Sequence, residues 1–134
     1  MQLDHEKLDV YQVGLEFAVW AYTLCRALTG ADRHARDQML RASQSICLNI
    51  AEACGKLSPL ERARFLQIAA GSARECAAIL DILHESAVIQ AEKYHEGKEL
   101  LVRIVAMLTR MIENLGRARE GENEYGGVNE NVDG

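Results

Sequence analysis

Apolar side chains recur at alternating steps of three and four residues along four separate stretches of this chain, and no other feature restricts its fold so tightly. The first stretch sets Leu8, Tyr11, Leu15, Ala18, Tyr22 and Cys25 in one row, and the second sets Met39, Ser43, Ile46 and Ile50. The third places Phe65, Ala69, Ser72, Cys76, Ile79 and Leu83, and the fourth Leu101, Ile104, Leu108, Met111 and Leu115. Such rows keep one seam of an α-helix turned toward a partner helix. Short connections between long helices force antiparallel neighbours, so the expected fold is all-α, an up-down-up-down four-helix bundle.

The breaks between rows carry local stop and start signals. Asp9 with Gln12 reads as a capping box opening a first helix over about 10–29, stopped by Gly30. Asp32 is placed to cap a second helix over 32–54, ended by Gly55 in the left-handed conformation. Ser58-Pro59-Leu60-Glu61 is the strongest signal: a capping serine, proline at the first helical position and glutamate at the third, opening a helix over 59–86. A fourth helix is expected over 91–117, with Gly97 weakening its first turns by about 1 kcal/mol relative to alanine. With 134 residues, a single proline and 5% aromatics, a β-sandwich is excluded and one domain, residues 1–118, is expected.

Charge is unevenly placed. Glu120, Glu122, Glu124, Glu130 and Asp133 meet no base after Arg119, so they account for the whole net charge of −5. Residues 119–134 read as an acidic, Gly/Asn-rich disordered tail, and residues 1–119 balance to zero charge. No run approaches the 18 apolar residues of a membrane span, and the acidic N-terminus is unlike a signal peptide, so a cytoplasmic protein without membrane contact is expected. Cys25, Cys47, Cys54 and Cys76 form no C-x-x-C pair and read as reduced, buried thiols.

Two helices are more apolar than a solitary bundle requires. Opposite its first row, helix one carries a second stripe of Val10, Val13, Phe17, Trp20 and Leu24, and helix three has only a narrow polar line of Gln67, Arg74, Asp81 and Glu85. Together they exceed the apolar patch a monomer normally exposes, so the second stripe and a flank of helix three are expected to form an oligomer interface. The alternative is that Met1 to Leu8 or the tail covers Phe17 and Trp20.

Signatures of chemistry are scarce. The chain has no phosphate-cradling glycine loop, no nucleophile elbow and no Ser–His–Asp grouping. Glu92-Lys93-Tyr94-His95 matches the E-x-x-H element of di-metal bundles, and Asp81-Ile82-Leu83-His84 nearly does, but a matching set of inward glutamates is missing. No catalytic residue, metal, cofactor or small-molecule substrate is therefore expected, and the protein reads as non-enzymatic. Arg33, Arg36, Arg41, Lys56, Arg62 and Arg64 outnumber Asp37, Glu52 and Glu61 between residues 33 and 64, a basic stretch suited to nucleic acid or another acidic partner. A solvated helix face with intrahelical ion pairs is the competing reading. Gly71-Ser72-Ala73 reads as a point of close helix approach.

The segments Ser45-Ile46-Cys47-Leu48-Asn49-Ile50-Ala51-Glu52-Ala53 and Ser58 to Glu75, with Leu8–Gln12 and Met107–Ile112, resemble the small bacterial four-helix-bundle proteins first met in intervening sequences of 23S ribosomal RNA genes. The resemblance covers residues 8–115 and implies an antiparallel bundle assembled as a homopentamer, without an established catalytic mechanism. The accessory variability protein of diversity-generating retroelements has a related fold, and by that analogy RNA, DNA or a reverse-transcriptase-like protein becomes a candidate partner. The family's polar positions map to Asn49, Glu52, Ser58, Glu61, Arg62, Arg64, Ser72 and Glu75, while Ala53 and Cys47 stand where the family usually has glycine and often proline.

Overall fold

The computed structural model describes residues 2–133, with side chains described for residues 2–121. A 3-10 turn, Asp4–Lys7, precedes helix α1 (Asp9–Arg26), and a second, Gly30–Asp32, leads into α2 (Arg33–Cys54). Helices α3 (Pro59–Glu85) and α4 (Ala91–Asp133) complete an all-helical bundle without strands among the described residues. Each helix packs against its neighbours in the order α1–α2–α3–α4–α1, with no direct packing across either diagonal, so the topology is up-down-up-down.

Local chemistry fixes the helix starts unequally. Ser58 is extended and its Oγ accepts a hydrogen bond from the Glu61 N–H at 3.4 Å, with Pro59 at the first helical position, as the sequence predicts. The other ends depart from expectation. Leu8, not Asp9, occupies the cap of α1 without a side-chain bond; the Leu3 N–H donates instead to Glu6 Oε2 at 2.8 Å. Asp9 lies one residue inside, where an acid suits the helix dipole. Helix α1 ends at Arg26, three residues before Thr29, and Asp32 caps α2 by position only. Gly55 ends α2 in the right-handed conformation (φ −83°), so no left-handed stop operates there.

The left-handed conformation is adopted at Gly30 (φ 59°), after α1, and also at a residue with no local marker, Ala87 (φ 60°). Its N–H donates to the His84 carbonyl at 3.0 Å, and the Val88 N–H donates to the Leu83 carbonyl at 2.9 Å. That bond pattern closes α3 as a Schellman motif, usually built on glycine.

The core runs the length of the four-helix contact and contains Phe17, Met39, Ile46, Ile50, Leu66, Leu80, Leu101, Ile104 and Leu108, all fully buried. Burying each such side chain contributes roughly 1.5–3 kcal/mol. The second stripe of α1 belongs to this core: Val10, Val13, Phe17 and Leu24 are buried within the single chain. Trp20 is partly buried, its ring stacked on Phe17 at 5.6 Å and its Nε1–H donating to Glu96 Oε2 at 3.2 Å on α4. The oligomer interface expected at these five residues is thereby corrected, because α4 packs against the stripe and encloses it. The row expected to face inward is the more open one, with Leu15 and Tyr22 exposed and only Cys25 fully buried.

Two glycines assist this packing and one does not. A Cβ on Gly97 would meet the Trp20 ring edge, with Cζ3 at 2.8 Å, and Leu80 Cδ1 at 2.9 Å, so Gly97 is the seat of the indole rather than a fraying point. A Cβ on Gly14 would meet Cys47 Sγ at 3.2 Å, where α1 crosses α2 closely. Gly71 has open space around it; in the Gly71-Ser72-Ala73 segment the contact with a neighbouring helix is made by Ser72. Most of the acidic stretch 119–134, including its disorder expectation, falls outside the residues whose side chains are described.

Candidate functional site

Helix α2 presents Arg41, Ser45, Asn49 and Glu52 at steps of four, four and three residues, which sets them in one stripe along the α2–α3 seam, and Lys56 follows just past the helix end. Opposite stand Glu75 and Ser72 of α3. Arg41 donates to Glu75 Oε1 at 2.7 Å, and one turn further on the Ser72 hydroxyl donates to Ser45 Oγ at 2.8 Å. Asn49 Nδ2 donates to the Ser45 carbonyl at 2.8 Å and to Ser45 Oγ at 3.0 Å. The polar positions scattered over residues 41–75 thus converge on a ladder tying α2 to α3. Ser45 is its hub, a residue with no signal of its own in the sequence beyond its spacing. The four-residue spacing from Arg41 through Ser45 to Asn49 was the available signal.

Much of this ladder is structural. Arg41 and Glu75 are solvated, and an exposed pair of this kind contributes about 0–1 kcal/mol. Ser58 caps α3, and Glu61 supplies the N–H that Ser58 accepts. Glu52 lies 3.7 Å from Lys56 across one helical turn. Around the ladder, large apolar side chains face water: Leu48 on α2 is 64% exposed, and Ile68 on α3 is also exposed. On α1, Leu15, Val19 and Tyr22 are exposed at steps of four and three, and the Tyr22 hydroxyl accepts a hydrogen bond from Gln44 Nε2 of α2 at 2.7 Å.

The six basic residues do not form one patch. Arg33 and Arg36 start α2, whereas Lys56, Arg62 and Arg64 lie at the α2–α3 turn, about 30 Å away along the helix axis. Arg36 pairs with Asp37 at 3.0 Å, Arg41 with Glu75, and Lys56 with Glu52. Arg62 Nε donates to the Lys56 carbonyl at 2.6 Å, and the Lys56 ammonium sits 5.1 Å from the Phe65 ring centroid. Lys56 and Arg62 are therefore the two bases the fold joins directly, beside Leu57, which is 94% exposed, and Arg64 follows two residues after Arg62 on α3.

Elsewhere the titratable groups are structurally engaged. Asp81 accepts from the Tyr94 hydroxyl at 2.6 Å and from Lys98 Nζ at 2.8 Å, and these bonds, Lys98 first, hold its carboxyl below the usual range. His84 stacks on Tyr94 at 4.3 Å. Among the described residues no three His, Cys, Asp or Glu side chains gather as a metal would require. All four cysteines are free, Cys54 only partly buried and the rest buried. Burial pushes the Cys47 thiol up to about 11 and Cys76 up to about 12, so both stay protonated and unreactive near neutral pH. No helix among the described residues is long and apolar enough to cross a membrane.

No curated protein matches the chain. A solved structure from Bacteroides thetaiotaomicron, described as a protein with unknown function from the S23 ribosomal protein family, superposes with a TM-score of 0.73 at 30% identity. The similarity covers 77% of this chain and 97% of that one. The family model for the 23S rRNA-intervening sequence protein matches residues 6–110, a span that includes the whole α2–α3 ladder. The chain belongs to the 23S rRNA-intervening sequence protein family.

Proposed function

We infer that this protein is a non-enzymatic, self-assembling scaffold whose copies meet through the outer face of α1 and α2. The observation that carries this reading is the row of exposed large apolar side chains, Leu15, Val19 and Tyr22 on α1 with Leu48 on α2. Exposed leucine and valine at helical spacing have a reason to exist when a second copy covers them. A homopentamer, in accord with the family resemblance, requires this row to meet a different surface of the next copy, because a heterologous contact closes into a ring. The non-enzymatic part rests on the engagement of the polar groups, which hold helices together or cap them, and on thiols kept protonated. Free cysteines suit a reducing cytoplasm.

Within that scaffold, the end that carries Lys56 and Arg62, with Arg64 close in sequence, faces nucleic acid, and assembly repeats these bases around the ring. RNA, DNA or a reverse-transcriptase-like protein is the proposed partner. A second reading, an oligomeric protein-interaction module with no nucleic-acid contact, is favoured by the carboxylate partners of Arg36, Arg41 and Lys56. Sedimentation of the full chain and of Leu48→Glu tests assembly: the parent sediments as a multiple of 14.9 kDa and the variant as a smaller species. A monomeric parent overturns the scaffold. Titration of duplex DNA against salt separates the two readings, since three phosphate contacts per site give a log–log slope of about −2.7. Absent or salt-insensitive binding leaves the protein-interaction module.

A further inference from the structure

The side of the bundle formed by α3 and α4 carries a groove to which no role has yet been given. Its floor is Ala73 and Ala77 of α3 with Leu101 and Val105 of α4, enclosing about 380 Å³ with an almost wholly apolar lining. Alanines create it: where longer side chains would fill the seam, these leave a channel into which the ridge of another helix fits. Arg74 and Lys98 stand at its edge. Lys98 is paired with Asp81, but the exposed Arg74 has no carboxylate partner among the described residues. A second, smaller pocket that shares Arg74 lies next to the groove, with Ala70, Ile112 and Glu113 among its lining residues. The apolar section, Lys98 to Ala106, is about 12 Å long.

The sequence after Arg119 has complementary properties. It holds five acids and no base, and its large apolar residues, Tyr125, Val128 and Val132, follow at steps of three and four. On a helical wheel they form one stripe flanked by Glu122 and Asp133 on one side and Glu124 on the other. The stripe spans about 10 Å, close to the length of the apolar section. The segment lies beyond residue 110, where the family match ends, so it is an addition of this chain to the shared bundle. Because the groove is lined by residues 98–113 of α4 itself, the α4 axis leads the segment away from its own groove.

We propose that the acidic C-terminal segment, residues 120–133, docks in the α3–α4 groove of a second copy, with Val128 and its stripe on the alanine floor and its acids beside Arg74. This contact involves a different face from the α1–α2 surface and does not depend on the ring size.

Photo-crosslinking of the full chain tests it. With p-benzoyl-phenylalanine in place of Tyr125, irradiation yields a covalent dimer near twice 14.9 kDa on a denaturing gel, and mass spectrometry places the link within residues 67–113 of the partner copy. Arg74→Glu and Val102→Asp, both changes at exposed positions, each reduce the dimer yield about tenfold, while Arg62→Glu leaves it unchanged. Links confined to one chain, links to another surface, or a yield indifferent to Arg74 and Val102 overturn the proposal. Sedimentation of the same sample separates the failures: an assembled protein without the link overturns this contact alone, and a monomer overturns self-assembly as well.

Discussion

Replacing Gly97 by alanine tests whether α1 and α4 are held together as described. In an open helical position the change is favourable by about 1 kcal/mol, because glycine loses more backbone entropy on folding. At Gly97 the new methyl meets the edge of the Trp20 indole, Cζ3 at 2.8 Å, and Leu80 Cδ1 at 2.9 Å. Both are closer than carbon atoms pack, so the indole must shift from its stack on Phe17 and its hydrogen bond to Glu96. Overpacking of this order costs about 1–3 kcal/mol, and the lost hydrogen bond adds about 1 kcal/mol. After the helical gain is subtracted, Gly97→Ala is expected to destabilise by roughly 2 kcal/mol. Gly71→Ala is the matched control: Gly71 also lies in mid-helix but has nothing within 4 Å of its would-be Cβ, so it should stabilise by about 1 kcal/mol. Urea denaturation of both variants, followed through the sole tryptophan, reads the two opposite signs directly. If Gly97→Ala stabilises as much as Gly71→Ala, the indole does not rest on α4 and the packing of α1 is misassigned.

Three further outcomes follow from the same geometry. Ala87→Gly should stabilise by about 1 kcal/mol, because it removes the left-handed strain at φ 60°; thermal denaturation showing no rise in Tm contradicts that strain. Ser58→Ala should cost about 1 kcal/mol through loss of the α3 cap, with Ser58→Asp restoring it, and equal stability of all three proteins denies the cap its role. At alkaline pH the unfolded chain releases its thiol protons from about 9, while folded Cys47 and Cys76 hold theirs to about 11 and about 12. The folded state then binds more protons, so stability falls as pH rises through that window, by up to about 1.4 kcal/mol per pH unit per thiol. Urea midpoints that stay flat from pH 8.5 to 10.5 contradict the burial of these groups.

The bundle was legible because its signals are local or periodic. Ser58-Pro59-Leu60-Glu61 opens a helix whatever surrounds it, and alternating steps of three and four leave little but helices in contact. Helix one shows where such reasoning stops. Its two apolar stripes have nearly the same period, and only the position of α4 decides that Val13 and Phe17 turn inward while Leu15 and Tyr22 turn out. The exposed apolar side chains of α1 lie on the Leu15–Tyr22 side and not on the Val10–Leu24 stripe. Gly97 carried the missing information, since a glycine about two turns inside a helix makes sense only once the indole from another helix is placed against it. The basic residues show the same limit. Proximity along a 22-residue helix is not proximity in space, and the carboxylates that neutralise Arg41 and Lys56 come from α3 and from one turn away. The ladder centred on Ser45 needed both helices in register before its hydrogen bonds could be seen.

Native mass spectrometry of the full-length protein addresses the exposed row of Leu15, Val19, Tyr22 and Leu48 most directly. The dominant ion is predicted near five times the 14.9 kDa chain mass, falling to smaller species in Val19→Glu. A spectrum containing only the single-chain mass at micromolar concentration would contradict the assignment of that row as the surface where copies meet.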